Sequence, residues 1–472
     1  MKVCIISEGS YPIARGGLSE WAHQLIRLLN YVDFDIFCIA PTGRERQIYE
    51  KLPNVDRVII SGLAQPSVQS NGARLSKPIS VDLANSLSSV LSGSPLDCEK
   101  VVDLLGQHNV GKPWLRSKTY WDSMVQLYRN SYPDTSFSDF FWTTQGIYSM
   151  LLDGLNLVDE LPPADIYHSL TSGLGGLVGS MAKVLRGRPL VVSELGQYMR
   201  ERAIELSRCN IREESQRQII KFSETMLRTS YKYADLIVPV SKSYVPPEVE
   251  LGADPNKVRI VNNGIDVNKF KPNPSRNGNG IPIVGCFARI VPVKGQMTFI
   301  KACKKVLENH QANFVLVGEV QDREYYQQCQ ALVQELGLTQ NLKFIGYVDN
   351  LLEWYQRVDI FVLVSQWEGI PLALLEAMSC GLPSICTAVG GIPDILSDTE
   401  AGYLVPPNDS DSLASRICEL LDDETLRKTM GLQANQLVKE KYSIEDMADR
   451  ILSVYLEGIL HGGAVSQSKT SH

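Results

Sequence analysis

Ile283-Val284-Gly285-Cys286-Phe287-Ala288-Arg289 is apolar up to its last residue, and a helical pattern over Met297 to Leu307 follows it closely. The alternation recurs downstream. Asn313 to Gly318 precedes Tyr325 to Leu336, Leu342 to Val348 precedes Leu351 to Arg357, and Asp359 to Ser365 precedes Pro371 to Cys380. Ser384 to Val389 leads into a Gly-Gly turn, and Gly402 to Val405 into a helix over Asp411 to Leu421. Continuous apolar runs are strands buried on both faces, and strands separated by helices pair in parallel. The C-terminal half is therefore predicted to be α/β with a parallel sheet, and ligands of such sheets sit at the carboxyl ends of the strands.

The N-terminal half repeats the theme less regularly. Lys2 to Ser7, Asp35 to Ala40, Val55 to Ile60, Ile166 to His168, Pro189 to Glu194 and Leu236 to Val240 read as strands, with a helix over Leu18 to Leu29. Between about 61 and 159 the pattern breaks, which reads as an insertion, an acceptor-side cover. It is Ser/Gly/Pro-rich from Gln65 to Ser94 and helical around Tyr120 to Tyr128 and Ile147 to Leu157. The Pro/Asn/Gly-rich stretch Pro272 to Pro282 reads as a linker, placing the domain boundary near Asn263-Gly264-Ile265-Asp266. Glu424 to Leu460 reads as a long amphipathic helix with a break at Tyr442-Ser443, and 461–472 as a flexible tail. No internal repeat is legible.

A chain of 472 residues is too long for one hydrophobic core, so two domains are expected. Its 44% hydrophobic and 21% charged residues are those of a globular chain. Lys+Arg at 46 against Asp+Glu at 53 gives a net charge of -7, which offers no basic field for nucleic acid or an anionic membrane. There is no apolar run of about 18 residues for a transmembrane segment, and the N-terminus reads as a buried strand rather than a signal peptide. The 10 Cys form no CxxC pair, and the 6 His show no zinc spacing. A cytoplasmic protein without a metal is expected.

Charges stand out where the pattern is otherwise apolar. Arg289 falls at the carboxyl end of a strand, and Lys294 follows in the loop entering a helix; together they can clamp a polyphosphate. Two snorkelling surface side chains are the plainer reading. Glu376 is the sole charge in Ile370 to Ile385, inside a helix apolar on nearly every face, so it needs a hydrogen-bonding partner. Pro371 suits the first position of that helix, which leaves Glu368 and Gly369 in the loop before it. Two carboxylates beside two cations suit a ligand bearing both hydroxyls and phosphates, such as a sugar nucleotide. An internal Glu–Lys or Glu–Arg pair is the alternative.

In the other half, Glu8-Gly9-Ser10-Tyr11-Pro12 leads to Gly16-Gly17 before a helix, where backbone amides can approach a phosphate or sugar closely. This is not GxGxxG, so NAD is disfavoured. Asp33-Phe34-Asp35 reads as a turn leading into a strand rather than a metal site. His168, at a strand end, reads as either catalytic or structural.

Together these residues resemble the retaining glycosyltransferase family 4. The run comprises Arg289-x4-Lys294-Gly295, Glu368-Gly369-Ile370-Pro371 with Glu376, and Gly390-Gly391-Ile392-Pro393. Ala234 to Val238 with Val240-Ser241, and Asn263 to Asp266 with Phe270 and Pro272, are similar to that family's signatures near the domain junction. A closer resemblance is to the cytosolic Pel-type exopolysaccharide glycosyltransferases. It rests on Glu8 to Pro12, Tyr167-His168-Ser169, Arg186 to Pro189, Glu194-x-Gly196-x-Tyr198 and Arg200-Glu201-Arg202.

The resemblance implies the α/β GT-B fold, two Rossmann-like domains facing across a cleft. The N-terminal, acceptor-side domain would be 1–265, the nucleotide-sugar-binding domain 266–440, and a helix over 441–460 would cross back to the first domain. Arg289 and Lys294 would hold the donor diphosphate and stabilise the leaving group without a metal or cofactor. Glu376 would bind the ribose, and Glu368 the transferred sugar. Gly369, Ile370, Pro371 and Leu372 would approach the sugar or phosphate, with Gly16 and Gly17 on the N-domain side of the donor pocket. His168, Glu194 and Tyr198 would face the acceptor. The function implied is transfer of a hexose or N-acetylhexosamine, with retention, from a UDP-sugar to a growing glycan, with docking to a membrane polysaccharide-synthesis complex as a possible partnership. One position departs from the family pattern: Leu195 stands where a His is usual and can neither donate to a sugar hydroxyl nor shuttle a proton. That departure keeps two alternatives open, a non-catalytic sugar-nucleotide-binding subunit and a sugar-nucleotide epimerase.

Overall fold

The apolar runs form strands because paired parallel strands bury Val, Ile, Leu and Phe on both faces while satisfying every ladder amide. The computed structural model describes residues 1–63, 89–108, 115–273, 280–397 and 399–468. The chain divides into two units. One holds Met1–Pro239, Tyr244–Val261 and the chain from Arg450 onward; the other holds Val240–Ser243 and Asn262–Asp449.

The strands of the first unit are β1 (Lys2–Glu8), β2 (Asp33–Ala40), β3 (Val55–Gly62), β4 (Ile166–Ser169), β5 (Leu190–Glu194) and β6 (Leu236–Pro239). All pair in parallel, in the order β3-β2-β1-β4-β5-β6. Its helices are α1 (Gly17–Leu28), α2 (Cys98–His108), α3 (Lys118–Ser131), α4 (Phe137–Glu160), α5 (Leu174–Arg186), α6 (Tyr198–Arg208), α7 (Glu213–Tyr233) and α8 (Val245–Glu250).

The second unit carries β7 (Ile283–Phe287), β8 (Asn313–Val317), β9 (Leu342–Gly346), β10 (Ile360–Leu363), β11 (Ser384–Thr387) and β12 (Gly402–Val405), in the parallel order β12-β11-β10-β7-β8-β9. Its helices are α9 (Gln296–Val306), α10 (Arg323–Glu335), α11 (Leu351–Tyr355), α12 (Leu372–Ser379), α13 (Ile392–Leu396), α14 (Ser410–Asp422) and α15 (Glu424–Lys441). The last helix, α16 (Ile444–Ser468), starts in the second unit and passes into the first at Arg450.

Each unit is thus a Rossmann-like α/β sheet, and the two have one strand order. Read from β9, the second sheet runs third, second, first, fourth, fifth, sixth, as the first sheet does from β3. The repeat that no stretch of sequence shows is a repeat of topology. It is invisible to residue comparison because many different apolar side chains satisfy the same buried strand.

Three further expectations are corrected. The described part of the 61–159 stretch belongs to the unit's core rather than to a cover laid over it: Val101, Tyr120, Met124, Phe140 and Leu151 share one hydrophobic core with Leu177, Met181 and Phe222. Most of its Ser/Gly/Pro-rich part, and part of the Pro272 to Pro282 linker, lie outside the described residues. The expected flexible tail is helical to Ser468, since α16 continues past Leu460, each added residue contributing one backbone hydrogen bond. Pro371 is the N-cap of α12 rather than its first helical residue. Its ψ of 117° is extended, while its carbonyl already accepts from the Leu374 and Leu375 amides.

Candidate functional site

In the second unit the chain leaves β7 for β8 on one side of the sheet, whereas β10 lies on the other side of β7. The strand order reverses between β7 and β10, and in open α/β sheets ligands bind beyond the carboxyl ends at such a point. The charges singled out in the sequence gather there. Arg289 lies two residues past β7, Lys294 in the turn before α9, and Glu368 in the loop after β10.

The Lys294 ammonium donates to Glu368 Oε1 at 2.6 Å, and the Ser365 hydroxyl donates to the same oxygen at 2.5 Å. This is the internal ion pair that the charges also allowed. Both members are largely buried, with side chains 17% and 9% exposed, so the pair is screened little by solvent. An ammonium carries three donors. One is committed to Glu368, which leaves capacity for an anionic ligand.

Two glycines make the arrangement possible. Gly295 (φ 68°) lets the turn after Lys294 pass against the carbonyl of Val364, where a Cβ would collide. Gly390 (φ 55°) passes the carbonyl of Glu368 in the same way, and the Gly391 amide donates to the carbonyl of Gly369 at 3.1 Å. The loop bearing Glu368 is thereby held from its own backbone.

Arg289 is exposed and donates to Gln321 Oε1 at 2.7 Å. The buried Gln296 fixes its main chain, donating to the Arg289 carbonyl at 2.8 Å. Glu376, on α12, accepts from the Tyr355 hydroxyl at 2.8 Å, which supplies the partner that its apolar helix demanded. Ile370 and Pro371 are buried, Gly369 and Leu372 half-buried, and Asn263 donates to the Ile370 carbonyl at 3.2 Å. Sequence reasoning missed Ser365, Gln321, Gln296 and Tyr355. Only Ser365 left a local signal, lying three residues before Glu368 in one loop.

Gly16 and Gly17 belong to the first unit, where they precede and open α1; nothing lies within 4 Å of a Cβ built on either. Glu8 ends β1 at that unit's own reversal point, between β1 and β4, and accepts from the Gly175 amide at 3.4 Å. His168 is fully buried. Its Nδ1 is 2.7 Å from the Tyr455 hydroxyl and its Nε2 is 2.7 Å from Ser193 Oγ. Burial lowers its pKa to about 3, so the ring is neutral near pH 7. Glu194 and Tyr198 line one cavity beyond β5, and Leu195 follows β5 half-buried. Among the described residues no group of three His, Cys, Asp or Glu side chains is placed to hold a metal, and no helix is long and apolar enough to cross a membrane.

Residues 1–256, more than half of the chain, match the family described as Domain of unknown function (DUF3492). The chain belongs to the DUF3492 family. Behind that DUF3492 region, residues 268–437 match the family described as Glycosyl transferases group 1. The chain is 29% identical over 227 residues to the UDP-Gal:alpha-D-GlcNAc-diphosphoundecaprenol alpha-1,3-galactosyltransferase of Escherichia coli, covering 45% of this chain and 57% of that protein. It is 30% identical over 240 residues to the N-acetyl-alpha-D-glucosaminyl L-malate synthase of Bacillus anthracis, covering 49% and 62%. The chain thus spans about six-tenths of the length of these curated relatives. In structure it is similar to sucrose-phosphate synthase from Thermosynechococcus elongatus (TM-score 0.63, 20% identity, covering 97% of this chain and 98% of that one). HepE of Anabaena, solved in complex with UDP, gives a TM-score of 0.61 at 16% identity, covering 97% and 100%. The GT-B fold of this DUF3492 member follows from those likenesses.

Proposed function

We propose that this DUF3492 member is a retaining glycosyltransferase of family 4. In this reading it acts without a metal and moves a hexose or N-acetylhexosamine from a UDP-sugar to a growing glycan in the cytoplasm. The observation that carries the reading is the Lys294–Glu368–Ser365 cluster at the reversal point between β7 and β10. A buried carboxylate held by an ammonium and a hydroxyl presents a fixed negative charge beside a fixed positive one. Those are the groups needed for a sugar that becomes cation-like and a diphosphate that leaves as an anion. The group 1 glycosyltransferase match over 268–437 supports the reaction class, and the UDP bound by HepE and the UDP-galactose named for the E. coli relative support the donor.

The sugar's anomeric carbon gives up its bond to the diphosphate oxygen and forms one to an acceptor hydroxyl arriving on the same face. The acceptor's proton passes to the departing diphosphate. Lys294, and Arg289 from the rim, balance the charge that develops on the leaving group. Glu376, held by Tyr355, binds the ribose hydroxyls. Attachment to a membrane polysaccharide-synthesis complex, as in Pel-type systems, is part of the same proposal.

The test is calorimetric titration with a panel of nucleotide sugars, each followed by assay of released nucleotide with and without EDTA. The proposal expects one donor to bind and slowly release its nucleoside diphosphate whether or not EDTA is present. Binding without release, with acceptor mixtures supplied, favours the sugar-nucleotide-binding subunit that Leu195 suggests. No binding of any donor removes the reading.

A further inference from the structure

The first unit holds a cavity of about 150 Å³ beyond the carboxyl end of β5. Its polar lining includes Glu194, Tyr198, Tyr231 and Glu248, together with Gln197 and Arg200, and Leu227 and Leu251 contribute to its apolar wall. Glu194 and Glu248 are only 3% and 5% exposed. Glu194 accepts from the Tyr231 hydroxyl at 2.8 Å. Both carboxylate oxygens of Glu248 are buried and have no hydrogen-bond partner among the described residues.

The charges acting on this pair are carboxylates. Burial raises the pKa of each; hydrogen bonds from Ser172 and Tyr231 partly lower that of Glu194, Glu201 raises it, and Glu194 raises that of Glu248. Arg200 is exposed. Two neighbouring buried carboxyls of this kind hold a proton or take a cation from outside.

We propose that the cavity binds a protonated primary amine, its ammonium held between Glu194 and Glu248 and its carbon skeleton against the tyrosine rings and the leucine wall. Three observations select this ligand class. An ammonium brings three donors, which answers the two oxygens of Glu248 and leaves one for Glu194, which already accepts from Tyr231. Calcium and magnesium take six or more oxygens and zinc four ligands, and the described residues offer no cluster of three metal-binding side chains. A cavity of this volume with apolar walls accepts a benzene-sized skeleton, and aromatic faces favour an organic cation over a hydrated ion. The site goes beyond the transferase reading and does not depend on it.

The test is titration calorimetry of the full chain with benzylamine and glucosamine, against benzyl alcohol and glucose, with no nucleotide sugar present. Each titration is run in two buffers of different ionisation heat. The amines are expected to bind about tenfold or more tightly than their neutral counterparts, a difference of roughly 1.4 kcal/mol. At pH 7 amine binding should release protons, because the ammonium replaces a proton that the raised carboxyls hold, and the release should shrink as pH rises and they ionise.

The isosteric Glu248→Gln should remove both the amine preference and the proton release while melting no lower than the parent. Should that variant not fold, the pH dependence of proton release in the parent chain decides alone. Failure of both amines to bind, equal affinity for amine and neutral partner, or amine binding without proton release overturns the proposal and leaves a proton-sharing carboxyl pair. A failed transferase reading would show instead in the nucleotide-sugar titrations, which do not involve this cavity.

Discussion

The two units share one strand order yet use their reversal points differently. Beyond β7 and β10 the second unit gathers Arg289, Lys294 and Glu368, with Arg289 exposed and the other pair hydrogen-bonded but not sealed. In the first unit, His168 near the end of β4 is buried between Ser193 and Tyr455 and is kept neutral. One topology therefore supports a charged, partly open strand end in one case and a buried, neutral side chain in the other. What differs is exposure: Arg289 reaches solvent and the Lys294–Glu368 pair is not sealed, whereas His168 is fully buried.

The largest effect that would break this comparison is expected at Glu368. Glu368→Ala should lower nucleotide release by about 10² to 10³-fold, the magnitude of losing one preorganised charge. UDP binding should hold or tighten, because Lys294 is freed. A mutant that releases nucleotide at the parental rate would make the pair merely structural. Lys294→Ala comes next: UDP binding should fall by about tenfold or more and uridine binding by little, as read by calorimetry. Equal losses for the two ligands would end the diphosphate role.

His168 sharpens the other side of the comparison. Its folded pKa of about 3 lies below the unfolded value near 6.5, so the unfolded chain binds the extra proton between them. Stability should thus be unaffected by this group above pH 6.5. It should fall by about 1.4 kcal/mol per pH unit as pH drops from 6.5 towards 3. Denaturant melts of the parent and of His168→Gln over pH 4 to 7 should show a shallower acid loss in the variant. Matching slopes would mean that the ring is not held neutral. Ser365→Ala is the smallest change: about 1 kcal/mol of stability and a few-fold loss of nucleotide release, since Glu368 keeps Lys294.

Much of this was open to reading along the chain. The run Ile283 to Phe287 and its counterparts named the strands because a doubly covered parallel strand admits little but apolar residues. Arg289, Lys294, Glu368 and Glu376 stood out because charge is costly in such surroundings. Their partners were hidden. Tyr355 lies 21 residues from Glu376, and Lys294 lies 74 from Glu368, with nothing in the intervening sequence marking either pairing. The packing of the described helices within 61–159 was hidden for a similar reason, since amphipathic helices have the same periodicity in a cover and in a core.

Local pattern and the cost of burying charge thus determined, from sequence alone, the α/β class, the parallel sheets and the charged residues of the strand-end cluster. Tertiary structure alone decided three things. Lys294 is paired with Glu368, His168 is interior, and Glu248 has two oxygens without a partner among the described residues. A hydrogen bond between distant residues depends on where the backbone carries them in space, and sequence periodicity reports only which way each side chain faces.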